Sequence, residues 1–453
     1  MSVTRERRAG AAARLGGPDV VLSGDEVTWF VRQHLGRLPL DGRSVCVLVP
    51  DATRTCPMPL LLRAVHRALH GRVSRLTVLV ALGTHAAMSE AALADHLGYP
   101  AGRVAEVYPG TTVVNHEWWC PETFTHLGTI SAARVAELSG GRLDEPVEVL
   151  LNRAVVDHDV ALVVGPVLPH EVVGMSGGNK YFFPGVAGQQ IIDLSHWLGA
   201  LITSAEIIGT TRLTPVRALI DDGAALIPAQ TLAFSVVTTR DAGRDGPVPD
   251  ASGPHRPAPG GSSGLHSISF GDCISSWASA AEVSAATHIV HLGAPVRRVL
   301  SILPGMYDEI WTGAKGFYKL EPAVADGGEV VLYAPHIRRL ASSHPQLLEV
   351  GYHCRDYFVQ QWERFRHVHR SVLAHSTHLR GAGTYDPTTG EERLRVRVTL
   401  ATAIPEEVCR AVDLGYRDPA SVDVEALAAD PEWFVVPRAG EVLYRVRDVR
   451  AGG

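Results

Sequence analysis

Residues 44–54 read SVCVLVPDATR. Ser44–Val49 is a nearly unbroken apolar run, too short for a helix and rich in valine. Such a run suits a strand buried on both faces, as in a parallel sheet. The run then stops abruptly, and Pro50, Asp51, Ala52, Thr53 and Arg54 follow. Downstream, Pro57–His70 places Leu60, Leu61, Ala64, Val65, Ala68 and Leu69 on one helical face. Arg63, His66, Arg67 and His70 fall on the other, with proline at the start and Gly71 at the end. The same alternation continues. Leu76–Leu82, Thr111–Val114 and Val160–Val164 read as strands, Ser89–Leu97 as a helix capped by Ser89, and Ala187–Thr203 as a further helix. Strands alternating with helices predict an α/β fold with a largely parallel sheet.

The chain has 453 residues, room for two large domains. From Asp241 to Gly264 the text turns to Pro, Gly, Ser and Asp, which reads as a flexible linker or insertion. After it, Val299–Leu303 and Val330–Tyr333 read as strands, Tyr307–Val324 and Arg355–His378 as helices, and Arg393–Leu400 alternates like a strand. The expected organisation is an N-terminal α/β domain over 1–240, a linker over 241–264 and a C-terminal α/β domain over 265–453, with the site in the cleft between them.

Composition excludes several classes. With 42 Lys+Arg against 48 Asp+Glu the net charge is −6, unlike a nucleic-acid binder. Six scattered cysteines with no CxxC pair fit neither a disulfide scaffold nor a zinc ribbon, and point to a reducing compartment. The N-terminus lacks an apolar signal core, and the uncharged run Gly223–Thr239 is interrupted by Pro228 and Gln230 and falls short of a membrane span. A cytoplasmic protein with no membrane partner is expected.

Chemistry is expected where the strands end. Asp51 and Arg54 follow the first strand, Gly83-Thr84-His85 the second, Asn115-His116 the third, and Pro169-His170-Glu171 the fourth. In a parallel sheet these ends share one edge, where ligands bind. Polar loops are ordinary one at a time, but four polar clusters at four successive strand ends point to a site. The block Gly174–Gly185 adds Gly177, Gly178 and Lys180. It is no P-loop, because Asn179 and Tyr181 stand where GxxxxGK[ST] needs Gly and Ser or Thr. Its lysine suits a phosphate contact, a surface charge or a covalent attachment. His196 follows in the next helix. His367, His375 and His378 share one face of the expected long helix and suit zinc by type, but Arg364, Arg366 and Arg370 beside them favour a solvated face.

Taken together, DATR at 51–54, GTH at 83–85, NH at 115–116 and PHEVVGMSGGNKYFFPGVAGQQIIDLSHW at 169–197 resemble the lactate racemase family. AKGFYKLEPAVADGGEVVLYA at 314–334 resembles the family's C-terminal domain. Most specific is the His170, Lys180, His196 series, spaced by ten and then sixteen residues. The resemblance implies a racemase or C2-epimerase of a 2-hydroxycarboxylate that uses a nickel-pincer nucleotide and is loaded by cofactor-biosynthesis proteins. It implies that Lys180 joins the cofactor, that His196 ligates nickel, and that His85 and His170 exchange protons with the substrate. It also implies that Arg54 holds the carboxylate beside Asp51, that Gly177 and Gly178 approach the cofactor, and that Lys315 lies near substrate. Asn179 and Tyr181 depart from the Arg and Ser expected around the lysine. Trp311 and Thr312 replace an expected Tyr-Gln pair, which alters the substrate pocket and implies an acid larger than lactate. Two other classes remain on these residues: a non-catalytic carrier of the cofactor or nickel, and a zinc hydrolase built on the 367–378 histidines.

Overall fold

The structure, a computed structural model, describes residues 11–239 and 264–447. The expected linker lies outside these residues, save Gly264. The first sheet has seven strands, ordered Ala13–Gly16, Gly264–Gly271, Gln230–Thr239, Val160–Pro166, Ser44–Pro50, Arg75–Ala81 and Thr111–Asn115. The last five run parallel, and the first two pair antiparallel at one edge. Ser44–Pro50 is central and buried over Val45–Pro50, as an apolar run without alternation requires. Chain order reverses between Ser44–Pro50 and Val160–Pro166. The crevice beyond the carboxyl ends of those two strands is therefore the topological switch point.

A second sheet is wholly parallel: Gly415–Tyr416, Val396–Thr402, Val324–Ala334, Val296–Ile302 and Trp433–Val436. The α/β class is as expected, but the change of sheet is not at 265. Gly264–Gly271 returns to the first sheet, and Asp272 caps the helix Cys273–His288, which packs on that sheet through Trp277 and Ala280. The second sheet begins only at Val296. Among the described residues no helix is long and apolar enough to cross a membrane.

Two expected helices are broken. Tyr307–Val324 is three short turns, Ile310–Gly313, Lys315–Tyr318 and Glu321–Ala323, because Gly313 and Gly316 pack against Leu303 and Pro322 restarts the chain. Arg355–His378 divides into Arg355–Gln360, Trp362–Phe365 and Arg370–Arg380. His367 therefore lies outside any helix, and His375 and His378 are buried rather than solvated.

Candidate active site

At the end of the central strand, Asp51 turns the chain. Its Oδ1 accepts the Thr53 backbone N–H at 3.1 Å and the Thr53 hydroxyl at 2.7 Å. Its Oδ2 faces Nδ1 of His85 at 2.5 Å. Burial acts to raise the Asp51 carboxyl, but His85 and Arg54 outweigh it and hold the group well below the usual carboxylate range. An ionised Asp51 therefore accepts the Nδ1 proton, leaving Nε2 of His85 as the lone-pair nitrogen. The Trp118 indole donates to the His85 carbonyl at 3.0 Å and fixes this loop.

The fourth strand runs into a small hairpin, Pro169–His170 with Gly174–Met175. Nδ1 of His170 has two neighbours at 3.2 Å, the Val172 N–H and the Glu171 carboxylate. One nitrogen cannot serve both. The backbone N–H can only donate, so Nδ1 accepts from Val172 and the neutral ring carries its proton on Nε2. Burial, followed by Lys180, holds His170 well below the ordinary imidazole value.

Lys180 sits in the short 3-10 turn Gly178–Tyr181. Burial and then Arg54 lower its amine to about 8. The flanking residues explain their own identities. Asn179 donates to Asp221 at 2.9 Å, and Tyr181 places its ring over Gly165. Arg217 stacks on Trp277 at 3.9 Å and donates to the carbonyls of Met175 and Gly177, bracing the glycine block from behind. Gly177 has φ +85° and Gly178 φ +59°. A Cβ on Gly177 would meet Val167 at 2.6 Å, and one on Gly178 would meet Cys273 O and Trp277 at 2.8 Å. Their close approach is thus to protein, though Gly177 also borders the hollow beside Lys180.

His196, in the helix Gln189–Ile202, directs Nδ1 to the Ile192 carbonyl at 2.7 Å. That bond fixes the proton on Nδ1 and leaves Nε2 as a donor atom, the usual arrangement for a metal-binding imidazole. Lys315 donates to the Thr312 carbonyl at 3.2 Å, and burial followed by Arg54 lowers its amine to about 7.

Three adjoining hollows collect these groups. Asp51, Arg54, His85, Gly177 and Lys180 border the first, and Arg54, His85, His170, His196, Trp311 and Lys315 border the second. Arg54 and Lys315 also border the third. The sequence-derived residues therefore converge, with Arg54 at the junction. Thr312 does not line these hollows; its hydroxyl donates to the Glu309 carbonyl at 3.2 Å, and its role here is to hold Lys315. His116 is also elsewhere, buried against Phe124 and bonded to Asn152 at 3.0 Å.

From sequence, Glu171 is named at its strand end and His375 and His378 are set apart on a solvated face, while Tyr318, Lys319 and Glu441 are not singled out. Glu171, Tyr318, His375 and His378 line the second hollow, and Lys319 and Glu441 the third. Lys319 was legible as the second lysine of AKGFYK, one helical turn after Lys315. Trp118, His344, Trp311 and His375 form a run of stacked rings from the first sheet's loops to the second half of the chain, at 6.4, 3.9 and 4.0 Å. Among the described residues no three His, Cys, Asp or Glu side chains are grouped to hold a metal ion by themselves.

Residues 32–208 match the sequence profile of the lactate racemase N-terminal domain. A lactate racemase of Thermoanaerobacterium thermosaccharolyticum is 25% identical over 158 residues, 34% of this chain and 32% of that protein, so the chain aligns with about a third of that relative. The crystal structure of a Thermotoga maritima protein is similar with TM-score 0.83 and 30% identity, covering 96% of this chain and 100% of that one. The T. thermosaccharolyticum lactate racemase apoprotein is similar with TM-score 0.63 and 17% identity, over 98% of this chain and 97% of that one, a likeness of fold.

Proposed function

We propose, from the premise that the chain belongs to the lactate racemase family by its match to that family's N-terminal domain, that it racemises or epimerises a 2-hydroxycarboxylic acid at C2, carrying a nickel-pincer nucleotide on Lys180. One observation carries the reading: Lys180, His196, His85, His170 and Arg54 border connected hollows at the switch point.

The residues fit the cofactor. Among the described residues Lys180 has no side-chain hydrogen-bond partner, and its lowered amine has a neutral, nucleophilic fraction near neutral pH. His196 offers a single bare nitrogen, which suffices for nickel when the organic group brings its own sulfur and carbon donors. When bound, the nickel-pincer nucleotide supplies an electrophilic ring able to accept the C2 hydrogen with its electron pair.

The protein supplies the rest. Arg54 presents a planar fork to the substrate carboxylate. His85 takes or returns the hydroxyl proton at Nε2 for one enantiomer, and His170 does so for the other. Asp51 stands behind Nδ1 of His85, which stabilises its imidazolium, while Nδ1 of His170 is held by the Val172 N–H and leaves Nε2 for the substrate. Reversal of direction exchanges the roles of the two histidines.

The test is to load the protein with cofactor and follow enantiopure 2-hydroxy acids by chiral chromatography. Conversion of either enantiomer into the other, or of one C2 epimer into its partner, is expected. A Lys180 adduct without inversion of any acid would leave a carrier of the cofactor instead.

A further inference from the structure

The helix Arg370–Arg380 presents Ser371, His375 and His378 at i, i+4 and i+7, and all three line the hollow that holds His85, His170 and His196. The reaction described above uses none of them. Two have partners already. His375 stacks on Trp311 at 4.0 Å and points Nε2 at the Tyr352 hydroxyl at 3.3 Å, and Ser371 approaches the Gln189 amide at 3.4 Å.

His378 differs. It is 4% exposed, and its Nε2 is buried with no hydrogen-bond partner. A buried ring nitrogen is normally satisfied, and an orphan at a cavity wall calls for a partner from the cavity. The ring is also held on purpose. Its Nδ1 lies 2.5 Å from the Ser204 hydroxyl. Ser204 follows Thr203, whose φ of +89° is rare for a β-branched residue, so the chain bends there into a strained turn that sets the serine against the histidine.

We propose that His378 is a specificity-determining residue, held by Ser204, that hydrogen-bonds a hydroxyl group borne by the substrate beyond C2. The substrate class is then a 2-hydroxy acid with further hydroxyls on its tail, and this rests on the racemase reading above. A hydroxyl fits better than a second carboxylate. Glu171, on the same wall, would repel a second carboxylate but accept a bond from a hydroxyl. A hydrocarbon tail would leave Nε2 orphaned, and sites built around a polar contact discriminate strongly against the analogue that lacks it.

The experiment uses near-isosteric pairs: glycerate against 2-hydroxybutanoate, and threonate against 2-hydroxypentanoate. Binding is measured calorimetrically on unloaded protein, and kcat/KM for C2 inversion on cofactor-loaded protein. The hydroxylated member of at least one pair should bind more tightly and turn over at least about 100-fold better. His378→Leu should lower the hydroxylated member's kcat/KM at least tenfold more than its isostere's, while His378→Gln, which keeps a donor and an acceptor, should retain most of the preference. Equal binding and turnover within both pairs would overturn the inference and leave the racemase reading standing. The preference in binding with no inversion of any acid would instead support the hydroxyl contact and remove the racemase reading. A preference unchanged in His378→Leu would assign it to another residue and overturn the role of His378.

Discussion

Nδ1 of His85 lies 2.5 Å from Oδ2 of Asp51, and the other oxygen of Asp51 is occupied by Thr53. The carboxylate thus fixes the imidazole's orientation and its tautomer together. Asp51→Asn keeps the shape but presents an amide that no longer selects the Nδ1–H form. The expected loss in kcat is about 10²–10⁴-fold with a smaller change in KM, read from racemisation kinetics. Asp51 also links stability to pH. Its folded pKa lies below the unfolded value of about 4, so its contribution is complete above that value and fades as pH falls below it toward the folded one. The difference in Tm between Asp51→Asn and the parent should therefore be constant from neutral pH to about pH 5 and shrink in stronger acid.

Lys180 is the expected point of cofactor attachment. Co-expression with cofactor-making enzymes should place a covalent mass adduct on the peptide containing Lys180, absent in Lys180→Ala. An adduct that persists in that variant would locate the bond elsewhere. Because burial lowers the amine to about 8, in vitro loading should accelerate as pH rises toward that value. His196→Ala should keep part of the organic adduct and lose nickel, measured by elemental analysis.

Lys315 is a cation near its titration point, lowered to about 7 by burial and then by Arg54. Its charge is lost as pH rises through that value, so KM for an anionic substrate should climb between about pH 6 and pH 8. Lys315→Met should show a KM about tenfold higher at pH 6 and flatter above it. The stability sign is the same as for Asp51 but in a different pH window, because both folded values lie below the unfolded ones. The unfolded chain binds more protons between about pH 7 and pH 10, so Lys315 makes the folded state relatively more stable as pH rises there.

Tyr181, beside Lys180, is matched to a glycine on the neighbouring strand. A Cβ on Gly165 would stand 1.7 Å from its hydroxyl oxygen and 2.5 Å from Cζ. Gly165→Ala should destabilise by about 1–3 kcal/mol through overpacking. Adding Tyr181→Phe should return part of the loss, since it removes the oxygen but not Cζ. Thermal unfolding of the two single variants and the double variant gives the coupling.

The parallel core and the strand-end residues were legible because a strand buried on both faces leaves an unbroken apolar run, and its end is where polarity returns. Asp51, His85 and His170 all follow such runs. The second half was harder. Across Arg355–His378 one helical period was read through what are three helices, so His375 and His378 were grouped with Arg364 and Arg366 as a solvated face. The break after Phe365 changes the register, and the face that carries Ser371, His375 and His378 turns inward. The strand Gly264–Gly271 was not read at all, and its antiparallel return to an existing sheet edge is a tertiary choice that a local apolar pattern does not encode.

The last prediction separates the two hydrogens that leave the substrate. The hydroxyl proton suits an imidazole, whose ordinary pKa lies near neutrality. The hydrogen on C2 does not, because it is very weakly acidic and the adjacent carboxylate already carries charge. His85 and His170 are therefore assigned to oxygen and not to carbon. An enantiopure acid carrying deuterium at C2 is incubated in ordinary water with loaded protein, and the opposite enantiomer is isolated at early conversion. Most of the deuterium should remain at C2, with a trace of the planar 2-oxo acid trapped by a carbonyl reagent. Had a histidine taken the C2 hydrogen as a proton, exchange with water would wash the label out. Extensive washout would reject the proposed division of labour and return the two imidazoles to the carbon. His85→Ala should slow both directions with the retained label unchanged, because the group it removes never holds the deuterium.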